Sequence, residues 1–119
     1  MQNDLKDRTK QFALEVIRLC ESLPKGKRTD LIGRQLLRCG TSVGANYRAA
    51  CRARSAAEFI AKMGIVEEEC DECLYWMELL VASDSISEEG VSELMGEANE
   101  LLAITIASIK TARKRKGRK

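Results

Sequence analysis

The chain predicts an all-α protein, an antiparallel up-and-down four-helix bundle, on three observations. Aromatic residues make up 4% of its 119 residues and there is one proline, Pro24. That composition disfavours sandwiches and barrels, whose strands are aromatic, β-branched and rich in turns. Apolar residues recur at steps of three and four along four separate stretches, the period of an amphipathic helix. The breaks between those stretches are short, which sets successive helices side by side and antiparallel. A chain of this length, 45% hydrophobic, makes one domain with a real core.

The first helix is expected from about Asp4 to Leu23, with Phe12, Ala13, Val16, Ile17, Cys20 and Leu23 on one face. Pro24-Lys25-Gly26 ends it, because proline and glycine both break a helix. The second is expected from about Thr29 to Arg52, where Ile32, Leu36, Cys39, Val43, Tyr47 and Ala50 form the stripe. Gly40 and Gly44 lie inside it and cost roughly 1 kcal/mol each against alanine; close approach of a neighbouring helix is the expected compensation.

The third helix carries the strongest signal. Ser55-Ala56-Ala57-Glu58 has the form of a capping box, two end groups each satisfying the other's backbone N–H. Phe59, Met63, Val66, Cys70, Cys73, Met77 and Leu80 then alternate steps of four and three, with Ile60, Leu74 and Val81 beside them. This is a heptad seam with a flanking row, as a bundle helix needs. From Ser55 to Ser83 it spans about 43 Å at ~1.5 Å per residue. Ser83-Asp84-Ser85 makes the turn, with Ser85 or Ser87 as the next cap. The fourth helix places Val91, Met95, Ala98, Leu102, Thr105, Ile109 and Ala112 on its face. Residues 1–112 are thus the bundle. The segment from Arg113 to Lys119 has no apolar residue to bury and repels itself, so it reads as a mobile basic tail.

Charge is sorted along the chain. Residues 1–54 carry 12 basic and 5 acidic side chains, residues 55–109 carry one basic (Lys62) and 13 acidic, and residues 110–119 carry 7 basic and none acidic. The net of +2 therefore hides separate basic and acidic surfaces, which select anionic partners and orient association without setting the fold. No apolar run approaches the ~20 residues of a membrane span. The polar start, Met1-Gln2-Asn3-Asp4, lacks a signal-peptide apolar region. A cytoplasmic chain with no membrane partner is expected, and the five cysteines then read as free, mostly buried thiols.

Catalytic and metal chemistry find no support. Cys70-Asp71-Glu72-Cys73 lies mid-helix on the apolar seam, and its acidic neighbours raise a thiol pKa. A zinc site needs further ligands, and the chain has no histidine, so core packing is the preferred reading. Gly40-Thr41-Ser42-Val43-Gly44 lacks the Lys-Ser/Thr of a phosphate loop and follows no strand. Without histidine a serine or cysteine nucleophile has no ordinary base. The expectation is a protein that is not an enzyme, with no cofactor, no metal and no small-molecule substrate.

The basic positions carry more. Arg34 and Arg38 lie one turn apart on the second helix, as do Arg48 and Arg52, with Arg54 just beyond. Such stripes track phosphates or pair with the acidic third helix, and the sequence leaves both open. The tail, Arg113, Lys114, Arg115, Lys116, Arg118 and Lys119, has no neutralising neighbour in sequence, so anion binding is expected there. With few aromatics to stack bases, sequence-specific reading of single strands is not expected.

The stretch Ser42-Val43-Gly44-Ala45-Asn46-Tyr47-Arg48, then Ser55, Phe59-Ile60 and Lys62, resembles the bacterial 23S rRNA intervening sequence proteins, also called the four-helix-bundle protein family. Glu69-Cys70-Asp71-Glu72-Cys73-Leu74-Tyr75-Trp76-Met77-Glu78-Leu79-Leu80 is similar to that family's second signature. Leu23-Pro24 and Gln35-Leu36 fit the first loop and second helix, so the resemblance spans roughly residues 12–110. Two positions depart from it: Ala49 stands where an acidic residue is usual, and Glu68 where a lysine is frequent. The resemblance implies ring-like homo-oligomers, commonly pentamers. A related branch, the accessory proteins of diversity-generating retroelements, implies a basic barrel that binds a reverse transcriptase and nucleic acid. It further implies that Ser42, Asn46, Glu69 and Glu72 form a polar network within the bundle or at a subunit seam, with Arg38 as cationic partner. Tyr75 and Trp76 then anchor packing or a subunit contact.

The resulting expectation is a non-enzymatic homo-oligomer that binds RNA or DNA through phosphate contacts from Arg34, Arg38, Arg48, Arg52, Arg54 and the tail. The alternative is a protein-interaction scaffold with no nucleic-acid role.

Overall fold

The computed structural model describes residues 2–117, with side chains from Leu5 to Gly117. Four helices account for the fold: α1 (Gln2–Ser22), α2 (Lys27–Cys51), α3 (Ala56–Ala82) and α4 (Ser92–Gly117). Each packs on the next, and α1 meets α4 to close the bundle. The result is a rod of 53 × 22 × 19 Å. None of the described helices is long and apolar enough to cross a membrane.

The stripes behave largely as their period requires. Ile32, Leu36, Cys39, Val43, Tyr47 and Ala50 of α2 are buried, as are Met63, Val66, Cys70, Cys73, Met77 and Leu80 of α3. Phe59 is only half-buried at the open start of α3. Val91 just before α4 and Ala98, Thr105 and Ile109 within it are buried as expected, and the face of α4 differs at two positions. Leu94 and Leu101 enter the core while Met95 and Leu102 stand half-buried beside it. Both sets are one residue apart with leucine or methionine at each position, so periodicity alone leaves the face ambiguous. Thr105 is buried in α4 and donates its hydroxyl to the Leu101 carbonyl at 2.7 Å, which satisfies it within the helix.

The interior glycines of α2 do what their cost implies. A Cβ on Gly40 would lie 2.8 Å from Cγ1 of Val16, and one on Gly44 would lie 3.2 Å from the Thr9 hydroxyl. Helix α1 therefore runs closest to α2 along the glycine row. At the other end of that seam Gly26 precedes α2 with φ 156°, where a side chain is disfavoured. The Thr29 hydroxyl donates to the Gly26 carbonyl at 3.2 Å and to that of Pro24, so α2 begins two residues earlier than expected.

The α3 cap differs in one detail from its motif. Ser55 accepts from the Glu58 N–H at 3.0 Å, but Glu58 reaches past it to the Arg54 N–H at 2.6 Å. Helix α4 starts at Ser92, beyond both expected caps. Ser85 instead accepts from Arg28 and pairs with Ser83, while Ser87 accepts from the Gly90 N–H within the preceding turn.

The expected boundary at Ala112 is corrected. Helix α4 continues without a break through Arg113, Lys114, Arg115 and Lys116 to Gly117. Lysine and arginine are good helix formers, and cations suit the negative end of the helix dipole. Arg118 and Lys119 lie outside the described residues.

Candidate nucleic-acid interface

The antiparallel order brings the end of α2, the start of α3 and the end of α4 to the same end of the rod. Burial of Tyr47 and Ala50 turns Arg48 outward, and Arg52 and Arg54 are exposed in the corner that follows. Burial of Thr105 and Ile109 leaves Lys110, Arg113, Lys114, Arg115 and Lys116 exposed on the last turns of α4. The two groups meet across the first turns of α3. Arg113 and Lys116 line a cleft of about 440 Å³ with Ala57 and Ile60. Arg115 lines another of about 590 Å³ with Ala56, Phe59 and Ile104.

On α2, α3 and α4 the charge at this end is one-sided, while the start of α1 reaches the same end with Lys6 and Arg8 against Asp4 and Asp7. Residues 45–62 and 104–117 hold nine basic side chains and one acidic, Glu58. Residues 67–100 hold twelve acidic side chains and no basic one. The three sequence blocks thus fold into a rod with a cationic end, an anionic waist on α3 and α4, and a far end of mixed charge. Among the described residues, none of the cations that α2, α3 and α4 bring to the basic end takes part in an ion pair.

The remaining expected phosphate contacts are placed elsewhere. Arg34 lies about four turns away from Arg48 along α2, donating to the Asp30 carbonyl at 3.4 Å. It lines a groove of about 690 Å³ between α1 and α2 with Ile17, Leu23 and Leu37. Arg38 is tied to α3. One nitrogen donates to both Glu69 oxygens at 3.3 and 3.4 Å, and the other donates to Glu72. The Glu72 hydrogen bond holds the Arg38 guanidinium above its usual pKa. Burial pushes the Glu69 carboxyl above the usual carboxylate range while Arg38 opposes that shift.

The expected polar network is therefore halved. Glu69 and Glu72 join Arg38 across the α2–α3 seam, but Asn46 stays on its own helix and donates to the Ser42 carbonyl at 2.9 Å. The i−4 carbonyl lies within reach of an Asn side chain, and it is the partner that the Asn46 amide takes among the described residues.

The cysteines pack as core residues. Cys73 of α3 donates to the Cys39 sulfur of α2 at 3.3 Å, and both are buried. Burial pushes the Cys70 thiol up to about 12 and the Cys20 thiol up to about 11.

One cluster was missed by reading the sequence. Arg8 of α1 donates to both Glu97 oxygens at 2.9 and 2.7 Å and to Glu100 at 3.0 Å, which fastens α1 to α4. The partners stand 89 residues apart, so no local spacing signals them. The exposed apolar side chains Leu31, Leu37 and Tyr75 also carry no sequence mark.

The family model for 23S rRNA-intervening sequence proteins matches residues 1–107. The chain belongs to that family. A solved protein of unknown function from the S23 ribosomal protein family of Bacteroides thetaiotaomicron VPI-5482 is similar in structure as well. It shares 35% identity, with a TM-score of 0.85 over 92% of this chain and 97% of that one. No curated protein matches the chain. The family match covers the α2 arginines and the Arg38 cluster but stops before Arg113, so the basic end of α4 lies outside the shared region.

Proposed function

We propose that this family member is a non-catalytic, self-associating bundle that binds RNA or DNA by phosphate contact at its cationic end. The observation that carries the reading is the convergence of Arg48, Arg52 and Arg54 with Arg113, Lys114, Arg115 and Lys116. These residues stand some sixty positions apart in sequence yet share one end of the rod, all exposed, and α2, α3 and α4 bring a single acidic side chain, Glu58, to that end. Cations arranged so release counterions from a polyanion, which makes binding strong at low salt and weak at high salt. Arg38 is excluded from the contact set because two carboxylates already hold it.

Self-association is supported by the α1–α2 groove, whose apolar lining continues to the exposed Leu37, with Leu31 exposed nearby on the same helix. Patches of this kind mark interaction surfaces. Sedimentation of the full chain tests this part: a single monomeric species at micromolar concentration removes it.

The nucleic-acid part is tested by measuring affinity for a structured RNA across a salt series. Three proteins are compared: the natural chain, a variant with Arg52, Arg54, Arg113 and Arg115 changed to alanine, and a control with Arg34→Ala. Binding that falls steeply with salt, is lost in the first variant and is kept in the control is the expected result. Equal binding by all three places the contact elsewhere. No binding by the natural chain even at low salt favours a protein-interaction scaffold.

A further inference from the structure

Resting on that reading, we infer that the cationic end takes double-helical nucleic acid in preference to single strands, holding the phosphates of both strands at once.

The cations do not form a stripe. Arg113, Lys114, Arg115 and Lys116 are four consecutive helical residues, all exposed, and at ~100° per residue they radiate around the whole helix. Arg113 and Lys116 line one cleft against the start of α3, while Arg115 lines a separate one. Arg48, Arg52 and Arg54 form a second group at the corner joining α2 to α3. A single strand follows one line of phosphates and engages one such group at a time. A duplex presents two phosphate rails on either side of a groove, and a major groove of about 12 Å admits a helix. The bundle's cross-section of 22 × 19 Å allows both groups to meet the two rails together.

The end also offers no exposed aromatic face of the kind that single-strand binders use. Those proteins stack bases on exposed aromatic faces. Of the five aromatic residues, Phe12 and Tyr47 are buried, Trp76 is half-buried, and Phe59, which lines the Arg115 cleft, is half-buried against the core. Tyr75 is exposed, but it lies edge-on to Trp76, with ring centroids 5.1 Å apart, and its neighbours on α3 are Asp71, Glu72 and Glu78. The aromatic face that bases could reach sits in the anionic waist, where a phosphate backbone is repelled.

The test uses the full chain and three labelled probes at equal salt: a 20-base-pair DNA duplex, an RNA hairpin with a stem of similar length, and an oligo(dT) strand of ~20 nucleotides. Both duplex probes are expected to bind at least tenfold more tightly than oligo(dT), with a steeper fall of affinity with salt. Each charge pair is then removed separately, as Arg52→Ala with Arg54→Ala and as Arg113→Ala with Arg115→Ala. Because either pair is needed to span the two rails, each double variant is expected to lose most of the duplex preference. Its salt slope should drop by about two, at roughly 0.9 per phosphate contact. Oligo(dT) binding as tight as the duplexes overturns the duplex assignment and leaves the nucleic-acid reading standing. A duplex preference unchanged in both variants also overturns it. Failure of every probe to bind removes the reading on which it rests.

Discussion

Arg34 and Arg38 on the first half of α2, and Arg48 and Arg52 near its end, are alike in sequence and unlike in surroundings. Each pair is spaced by one helical turn and faces away from the apolar stripe. Opposite the first pair α3 carries Glu69 and Glu72, and Arg38 is captured by both. Opposite the second pair α3 begins with Ser55, Ala56 and Ala57, and α4 ends in Arg113, Lys114, Arg115 and Lys116. The same motif is a clamp between helices in one place and free positive charge in the other. What decides between them is the charge that the neighbouring helices bring to the same height.

The largest expected effect breaks the free region. Removing Arg52, Arg54, Arg113 and Arg115 together takes away four phosphate contacts. Affinity for nucleic acid at ~0.1 M salt should drop by roughly a thousandfold. All four are exposed, so circular dichroism should show an unchanged melt; a collapsed melt would mean that these side chains hold the fold instead.

The second prediction concerns the core directly behind the clamp, where Cys39 meets Cys73 and Cys70 lies close by. The Cys70 thiol is raised in the folded state by burial first, so the native protein keeps a proton that the unfolded chain releases. Stability from this group is fully present below the unfolded thiol pKa of about 8.5 and is lost as pH rises toward the folded value of about 12. The loss is about 1.4 kcal/mol per pH unit for a fully buried thiol. Cys20, raised to about 11, and Tyr47, raised mainly by burial, add to the same fall. Urea titrations at pH 8, 9 and 10 should show midpoints moving steadily down; a flat series would mean that the thiols ionise in place.

The third concerns the opposite face of α2. Gly40→Ala puts a methyl 2.8 Å from Val16, whose branched side chain cannot swing aside. The strain of overpacking, about 1–3 kcal/mol, exceeds the helical gain of about 1 kcal/mol, so a net loss of about 1 kcal/mol is expected. Gly64→Ala on α3 meets nothing within 4 Å and should gain about 1 kcal/mol from helix propensity alone. Thermal melts that rank these two variants the other way would contradict the close α1–α2 approach.

The smallest effect sharpens the comparison. Changing Glu69 and Glu72 to glutamine releases Arg38 and makes the clamp resemble the free pair. Exposed ion pairs contribute about 0.2–1 kcal/mol, so stability should fall by no more than that. Nucleic-acid affinity should rise severalfold, since one cation is freed and two anionic charges vanish. A drop in affinity would show that the clamp itself orients the binding end.

How much of this was legible varies with the range of the interaction. The α2 and α3 stripes, the Ser55 cap and the glycine row were readable because helix periodicity and capping act within a few residues. The boundary at Ala112 was misplaced because a basic segment looks unstructured when its self-repulsion is considered without the helix it extends. Two positions of the α4 core face were misread because Leu94 and Met95, like Leu101 and Leu102, offer two apolar choices one residue apart, while Val91, Ala98, Thr105 and Ile109 are buried as expected. The Arg8–Glu97 fastening had no signal at all, and Asn46, expected to reach across helices, makes a local hydrogen bond to the Ser42 carbonyl.

The sequence by itself determined the helical class, the number of helices, their order and the three blocks of charge, because these follow from composition and from periodicities of three and four. Only the tertiary structure decided which arginines are paired and which are free. Pairing depends on what lies opposite across an antiparallel seam, and that height is set by helix packing and loop length rather than by neighbours in the chain. The cationic end exists because α2 stops, α3 starts and α4 stops at one place, bringing together charges that the sequence keeps some sixty residues apart.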